Sequence, residues 1–261
     1  MSIVFDKPWK YNQFAFEEHK HDSKHIWTEK YRPKTLDEIV GQEYIVKILK
    51  KYEHKPVYEI PPMLFYGSYG LGKTAMSRAF KPKLLTIPFN SAKDRGIEWA
   101  REIDWDLSIN IPLGKRAFGM ISYTDGTPVY DDEELQGFKY IIDEAEQITK
   151  EAQIMLRDGF ERKGKYHLII LITNDINKID EGLRERFPLK LQFKPLKIED
   201  MMILARRIIQ SENLIISNED LEKIIKISSG IPRRLIQHLN VYSDTGVLPE
   251  LSYETDTLND Y

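Results

Sequence analysis

The chain has 261 residues, a formal net charge of -3 and no cysteine. This length is enough for one sizeable α/β core with a smaller second domain. The lack of cysteine excludes a disulfide framework and a cysteine-based zinc site, and it is consistent with a reducing compartment. The charge does not by itself indicate nucleic-acid binding, which would need a local basic surface or several copies of the chain.

The N-terminal 26 residues are rich in aromatic and charged side chains and include His19, His21 and His25. They lack the uninterrupted apolar stretch of a signal peptide. No apolar run in the chain approaches the ~20 residues of a membrane span. The histidine spacing is irregular and no regular frame of cysteines or carboxylates supports a metal site, so we interpret residues 1–26 as an arm.

Five short apolar runs predict an α/β domain with a five-stranded parallel sheet, covered by helices on both faces. They lie at residues 62–66, 84–89, 138–142, 167–173 and 189–193. Between the third and fourth runs, apolar residues recur at helical spacing. These are Ala152, Met155, Leu156 and Phe160.

The first run leads into a glycine-rich turn, in the sequence MLFYGSYGLGKTAMSRAF at residues 63–80. The turn matches G-x-x-x-x-G-K-[ST], the pattern of a phosphate-binding P-loop. Glycines let backbone N–H groups approach phosphate oxygens, Lys73 would contact the β- and γ-phosphates, and the Thr74 hydroxyl would ligate Mg²⁺. The turn therefore predicts a nucleoside triphosphate site made by Gly67, Ser68, Tyr69, Gly70, Leu71, Gly72, Lys73 and Thr74.

Adjacent carboxylates follow the third run, about 70 residues after the P-loop. Asp143 would hold Mg²⁺ through its water shell, and Glu144 would polarise the attacking water. Such a pair alone is often a solvated strand end, but with a P-loop upstream the catalytic interpretation is stronger. Asn174 ends the next run, and its amide could lie between that water and the γ-phosphate, whereas alone it would read as an ordinary turn residue.

Two arginines are candidates for neutralising charge on a transferring phosphoryl group. Arg186 lies in GLRERF just before the fifth run, and Arg233 begins a helix behind Pro232. A surface ion pair is the simpler alternative for either residue, and we prefer that alternative for Arg184 and Arg234.

Two further segments differ from the α/β pattern. Residues 100–136 hold eight acidic and three basic residues, and the alternation around Asp125-Gly126 predicts a β-hairpin. From about residue 196 only helical spacing remains. We therefore predict an α/β domain over 27–195, a helical domain over 196–243 and an acidic tail over 244–261.

Taken together, these motifs resemble those of the AAA+ ATPases and, within them, the small subunits of sliding-clamp loaders (replication factor C small subunits and their phage counterparts). The resemblance covers about residues 27–243. FNSAKDRGI at 89–97 and DEAEQITKEAQIMLRDGFE at 143–161 are similar to the family's second-strand motif and to its Walker B motif with the central helix. The most specific segment, WTEKYRPKTLDEIVGQE at 27–43, resembles the adenine-pocket motif, whose base-flanking positions are here Tyr31, Arg32, Pro33 and Val40.

The resemblance implies an AAA+ P-loop fold with a small helical lid, and it implies roles for three residues. Asn174 would be sensor 1, Arg233 the sensor 2 arginine, and Arg186 a finger that acts on the nucleotide of a neighbouring subunit. With ATP and Mg²⁺ bound, the subunits would form an open spiral that opens a sliding clamp and grips primer–template DNA, and hydrolysis would release the closed clamp. The implied partners are other loader subunits, the clamp and DNA, with no membrane. The implied location is intracellular, in the cytoplasm, nucleoid or nucleus, including a virus-infected host cell.

The sequence departs from the family pattern at several positions. The chain also ends about where the family's C-terminal collar domain would begin, so we expect either another means of oligomerisation or a collar supplied by a partner. In the P-loop, this chain has Ser68 and Tyr69 where loaders usually have prolines, and Leu71 where they usually have Thr. Around Arg186 it has Glu185 in place of Ser and Phe187 in place of Cys. On the central helix it has Asp158 where loaders often have a basic residue.

Two other functions stay open. One is a different DNA-directed AAA+ motor, for branch migration or helicase loading, because GLGKT, LRERF and GIPRR also resemble RuvB, although no winged-helix segment follows the lid. The other is an ATP-binding scaffold without turnover, against which the intact Asp143–Glu144 pair argues. We favour the clamp-loader ATPase subunit.

Overall fold

A computed structural model of the chain describes residues 26–81, 84–91, 96–108, 122–124, 127–129, 138–161 and 167–248. The three histidines of the N-terminal arm, much of the 100–136 segment and residues 249–261 of the acidic tail lie outside these ranges. Within them, no helix combines the length and apolarity that crossing a bilayer requires.

In the described part of the chain, seven strands form two sheets. The strands are β1 (Met63–Tyr66), β2 (Leu85–Asn90), β3 (Ser122–Thr124), β4 (Thr127–Val129), β5 (Phe138–Asp143), β6 (His167–Thr173) and β7 (Leu189–Gln192). The main sheet has five strands in the order β2-β5-β6-β1-β7, and every pairing in it is parallel. The predicted five-stranded parallel sheet is therefore confirmed.

The small second sheet is the hairpin expected within the 100–136 segment. Strands β3 and β4 pair antiparallel, with Ser122 opposite Val129 and Thr124 opposite Thr127. The pairing confirms the predicted hairpin, although its turn at 125–126 lies outside the described residues.

Helices surround the main sheet and follow it. They are α1 (Trp27–Lys30), α2 (Glu43–Glu53), α3 (Lys73–Ala79), α4 (Ile97–Ser108), α5 (Lys150–Glu161), α6 (Glu181–Arg184), α7 (Ile198–Glu212), α8 (Asn218–Ile227) and α9 (Pro232–Thr245). Short 3₁₀ turns occur at Leu36–Glu38, Val57–Glu59, Ala145–Gln147 and Ile176–Lys178.

The two faces of the sheet bury separate cores, because successive side chains of a strand point to opposite faces. One core joins Phe65 and Ile141 to apolar residues of α2 and α3. The other joins Leu64 and Ile142 to residues of α4 and α5. The sheet is thus covered on both sides, which explains why β6 is buried along its whole length.

A third core lies within the helices that follow the sheet. It contains Leu196 and the apolar faces of α7, α8 and α9, and it also takes in Trp27 from α1. The helices expected after residue 196 are confirmed, and the domain boundaries remain predictions. The first residue of the predicted α/β domain thus contributes an aromatic side chain to the helical core.

Replacing Trp27 tests this attachment. Trp27 is 7% exposed, and we expect Trp27→Ala to lower the free energy of unfolding by about 3–5 kcal/mol, as for other large-to-small changes of buried aromatics. Tyr44, which is 74% exposed, gives the control, and Tyr44→Ala should stay within about 0.5 kcal/mol of wild type. Chemical denaturation measures both, and equal effects would contradict the burial of Trp27.

Candidate functional site

The P-loop, Asp143 and Asn174 meet at the carboxyl edge of the main sheet. Asp143 ends β5, Asn174 follows β6 and the P-loop follows β1, and these three strands are neighbours. Tyr66 pairs with Thr173, so the loops after β1 and β6 leave the sheet at the same level. Open α/β sheets bind ligands at this edge.

The P-loop makes close backbone contacts that exclude larger residues. Gly67 has a φ of +138°, and a Cβ placed on it would lie 2.4 Å from the Phe193 carbonyl oxygen. The loop therefore needs glycine at Gly67 both for its backbone angle and for its contact with the chain after β7.

Lys73 forms hydrogen bonds within the P-loop and to the loop after β6. Its Nζ donates hydrogen bonds to the carbonyl oxygens of Gly67 at 2.6 Å and Ser68 at 2.8 Å, and to Asn174 Oδ1 at 2.8 Å. Burial lowers the pKa of Lys73 to about 8, although Asp143 and Glu146 oppose this shift. The lysine thus lies at the centre of the site with hydrogen bonds to both loops.

Thr74 and Asp143 form the pair that suits a magnesium ion. The Thr74 hydroxyl donates to Asp143 Oδ2 at 2.6 Å, and Asp143 Oδ1 accepts a hydrogen bond from the Glu144 backbone N–H at 2.9 Å. Hydroxyl and carboxylate oxygens are ligands that Mg²⁺ accepts. The two residues therefore fit the ion that the sequence predicts.

Glu144 adopts an unusual backbone conformation. Its φ is +55° and its ψ +40°, in the left-handed region that non-glycine residues rarely occupy. Such backbone angles cost of order 1–3 kcal/mol and occur preferentially at functional sites. The geometry places Glu144 directly beside Asp143 at the end of β5.

Glu146 is a member of the site that the sequence analysis missed. Its carboxylate accepts hydrogen bonds from the Asn174 side-chain amide, from the Asn174 backbone N–H at 3.1 Å and from the Thr173 hydroxyl at 2.9 Å. Burial by itself raises the pKa of Glu146, but these hydrogen bonds outweigh it and leave the pKa lowered. Glu146 thereby turns the amide oxygen of Asn174 towards Lys73. The signal in the sequence was a third acidic residue, two positions after Glu144.

The predicted adenine segment lies between the sheet and the helical core. The Tyr31 hydroxyl bonds to Glu212 on α7, while Pro33 and Val40 are half-buried. The Gln42 side chain donates to the Lys194 carbonyl at 2.6 Å and accepts from its N–H at 3.3 Å. The segment is thus fastened at both ends, and its contact with a base stays a prediction.

The start of α9 contacts the P-loop. The Arg233 backbone N–H lies 3.4 Å from the Gly70 carbonyl oxygen. Burial, then repulsion from Arg78, with a smaller contribution from Arg233, lowers the pKa of Arg32. The ion pair of Arg32 with Glu29 opposes this shift.

Arg186 is the predicted site residue that the structure does not bring to this cluster. It lies just before the amino end of β7, whereas the P-loop follows the carboxyl end of the neighbouring β1. Its guanidinium forms an ion pair with Glu161 at the end of α5. A four-residue strand such as β7 spans about 13 Å, so Arg186 lies at the opposite edge of the sheet from its own chain's P-loop.

The strand order, the P-loop after β1 and the acidic pair after β5 define a P-loop ATPase of the AAA+ class. A solved structure of Thermotoga maritima RuvB, described as a Holliday junction branch migration motor, shares this fold with a TM-score of 0.62 at 20% identity, over 82% of this chain and 65% of that one. A structure of a point variant of the same protein gives a TM-score of 0.63 at 20% identity, covering 82% and 65%. No protein-family model matches the chain.

Similar sequences show which family within the AAA+ class the chain belongs to. The chain is 31% identical over 238 residues to the replication factor C small subunit of Methanococcus maripaludis, covering 87% of this chain and 68% of that protein. It is 35% identical over 224 residues to human replication factor C subunit 4, covering 82% and 57%. The chain belongs to the replication factor C small-subunit family. It spans roughly three fifths of the length of several of these relatives.

The contact between Gly70 and α9 generates a prediction. Gly70 has a φ of +76°, and an added Cβ would lie 2.7 Å from Ile231 Cγ2 and 3.3 Å from Arg233 Cβ. We expect Gly70→Ala to displace the start of α9 and to weaken binding of a fluorescent ATP analogue about tenfold, since relieving such strain costs roughly 1–3 kcal/mol.

Gly246→Ala is the matched control. Gly246 also has a positive φ, +68°, but no atom lies within 4 Å of an added Cβ. Its variant should bind the analogue as wild type does. If Gly70→Ala binds the analogue with wild-type affinity, the contact between Gly70 and α9 does not contribute to nucleotide binding.

Proposed function

We propose that the chain is an ATPase subunit of a sliding-clamp loader, which uses ATP binding and hydrolysis to open a clamp and load it on primer–template DNA. The observation that carries the proposal is the hydrogen-bonded group of Lys73, Thr74, Asp143 and Asn174 at one edge of the sheet. Membership of the replication factor C small-subunit family supplies the context for this site.

The residues have separable roles in the proposed reaction. The P-loop N–H groups and Lys73 bind the phosphates, and Thr74 and Asp143 would hold Mg²⁺, which neutralises charge on the phosphate oxygens. Glu144 accepts a proton from the attacking water as the water oxygen bonds to the γ-phosphorus. The bond from that phosphorus to the bridging oxygen breaks, which releases ADP and phosphate.

Asn174 and the arginines complete the proposed mechanism. The Asn174 amide, oriented by Glu146, lies beside Lys73 where it can position the water. Arg233 stabilises phosphate charge from the side of α9, and Tyr31, Arg32, Pro33 and Val40 flank the adenine base.

The position of Arg186 supports catalysis between subunits. It precedes the amino end of β7, at the opposite end of the strands from its own P-loop. We therefore assign it to the γ-phosphate of a neighbouring subunit. The proposed partners are other loader subunits, the sliding clamp and primer–template DNA, at an intracellular site of replication.

An ATPase assay with a matched active-site variant tests the proposal. With co-expressed neighbouring subunits, turnover should rise when the clamp and primed DNA are added together. Glu144→Gln should retain nucleotide binding but lose about 10²–10⁴-fold in turnover, because an amide cannot accept the proton.

The same assay distinguishes the other functions. Stimulation by four-way junctions instead of clamp and primed DNA would favour a RuvB-like motor. Nucleotide binding without turnover under every condition would leave an ATP-binding scaffold. Undiminished turnover in Glu144→Gln would remove Glu144 from the proposed role.

Arg186→Ala tests the action between subunits. We expect unchanged ATP affinity in the dilute single subunit and a loss of about 10³–10⁵-fold in the turnover of the assembly, the range for arginine fingers. Arg184→Ala, two residues away, is the control and should retain most of the turnover. A similar loss in both variants, or a loss of affinity in the single subunit, would contradict the assignment.

A further inference from the structure

A lysine is completely buried inside the α/β domain at a position that the proposed mechanism does not use. Lys139 lies on β5 and has no exposed surface. Its Nζ donates hydrogen bonds to the carbonyl oxygens of Phe80 at 2.7 Å and Arg78 at 3.0 Å, and it lies 3.5 Å from that of Lys81. All three carbonyls are at the end of α3, the helix that follows the P-loop.

The same strand also holds the beginning of that helix. Residues 139, 141 and 143 point to one face of the sheet, by the alternation of a strand. Ile141 packs there in the core that includes Met76 and Phe80 of the α3 segment. At the other end of α3, the Thr74 hydroxyl donates to Asp143. Helix α3 is thus attached to β5 at both ends.

The lengths of the two elements are compatible with this arrangement, because a lysine side chain can span the difference between them. The six-residue step from Thr74 to Phe80 along α3 rises about 9 Å. The four-residue step from Lys139 to Asp143 along β5 is about 13 Å. The Lys139 side chain can therefore reach the end of the helix while Asp143 meets its first turn.

Lys139 satisfies carbonyl groups that a short helix leaves without partners. A seven-residue helix is unstable on its own and depends on tertiary contacts, and its last carbonyls need donors. Burial, followed by repulsion from Arg78, lowers the pKa of Lys139 to about 7. Burying an amine costs free energy unless it is hydrogen-bonded, and the carbonyl partners of Lys139 offset that cost. A methionine of similar volume would fill the space but would leave these carbonyls without a donor.

We propose that Lys139 is a positioning residue for the P-loop: by holding the end of α3 on β5, it fixes the Thr74 hydroxyl against Asp143. The inference rests on the proposed nucleotide site and assigns part of its geometry to a side chain at the other end of the helix. Lys139 touches neither nucleotide nor magnesium ion in this role.

Hydrogen exchange of the nucleotide-free chain tests the attachment directly. In Lys139→Met, the amides of α3 should exchange at least about tenfold faster, while those of α5 keep their wild-type rates. Ile142→Val is the matched control, because Ile142 is a fully buried residue of the same strand on the opposite face. It should leave exchange in α3 unchanged.

Magnesium dependence gives the second readout. The Mg²⁺ concentration that half-saturates binding of a fluorescent ATP analogue should rise about 10–100-fold in Lys139→Met, the usual effect of removing support behind a metal ligand. Affinity for the analogue without Mg²⁺ should change little. Lys139→Gln, whose shorter amide cannot reach all three carbonyls, should give the same result and replaces Lys139→Met if that variant does not fold.

The two readouts separate the inference from the proposed function. Wild-type exchange in α3 and wild-type Mg²⁺ dependence in the folded variants would overturn the role of Lys139 even though the wild-type chain binds nucleotide. Failure of the wild-type chain to bind the analogue with Mg²⁺ would instead overturn the nucleotide site. The exchange experiment would still decide whether Lys139 holds α3.

Discussion

The hydrogen bond between Thr74 and Asp143 is the contact on which the rest of the site depends. It joins the P-loop to the strand that carries Asp143, although the two residues lie 69 positions apart. The neighbouring contact between Lys73 and Asn174 brings in the loop after β6. Hydrogen bonds thus connect three separate turns, because the strands that carry them are adjacent and parallel.

A second set of contacts links this surface to the helical core. The start of α9 lies on the P-loop at Gly70, and Gln42 holds the chain around Lys194. Trp27 and Tyr31, which precede the sheet in the sequence, pack in the core formed by α7, α8 and α9. A molecule bound at the P-loop would therefore contact groups whose positions are set by the helical core as well as by the sheet.

Much of the fold and of the candidate site was predictable from the sequence, because the decisive signals are local. The P-loop spacing, the Asp143–Glu144 pair and the alternation around the hairpin each lie within a short stretch, and each fixes a conformation through backbone geometry or side-chain period. The five strands of the main sheet were predicted to within about one residue of their observed limits, because buried parallel strands are continuous apolar runs.

The residues that were missed depend on contacts between distant segments. Glu146 looks like a solvated carboxylate until β6 brings Asn174 next to it. Lys139 interrupts an apolar run, and only the position of α3 provides its three carbonyl partners. Trp27 belongs with helices that begin about 170 residues later. No periodic pattern in the sequence indicates these contacts between distant segments.

The opposed positions of the P-loop and Arg186 make the chain directional. If the arginine of each copy completes the site of the next, two copies related by a two-fold axis could not bury the same patch of surface, because the contact joins two different patches. Such a contact repeats head to tail and gives a ring or a helical row. In a row that does not close, the terminal copy at one end has a P-loop without an incoming arginine, and the copy at the other end has an arginine without a nucleotide to meet. The two ends of the row would then be chemically distinct, and each could receive a different neighbour.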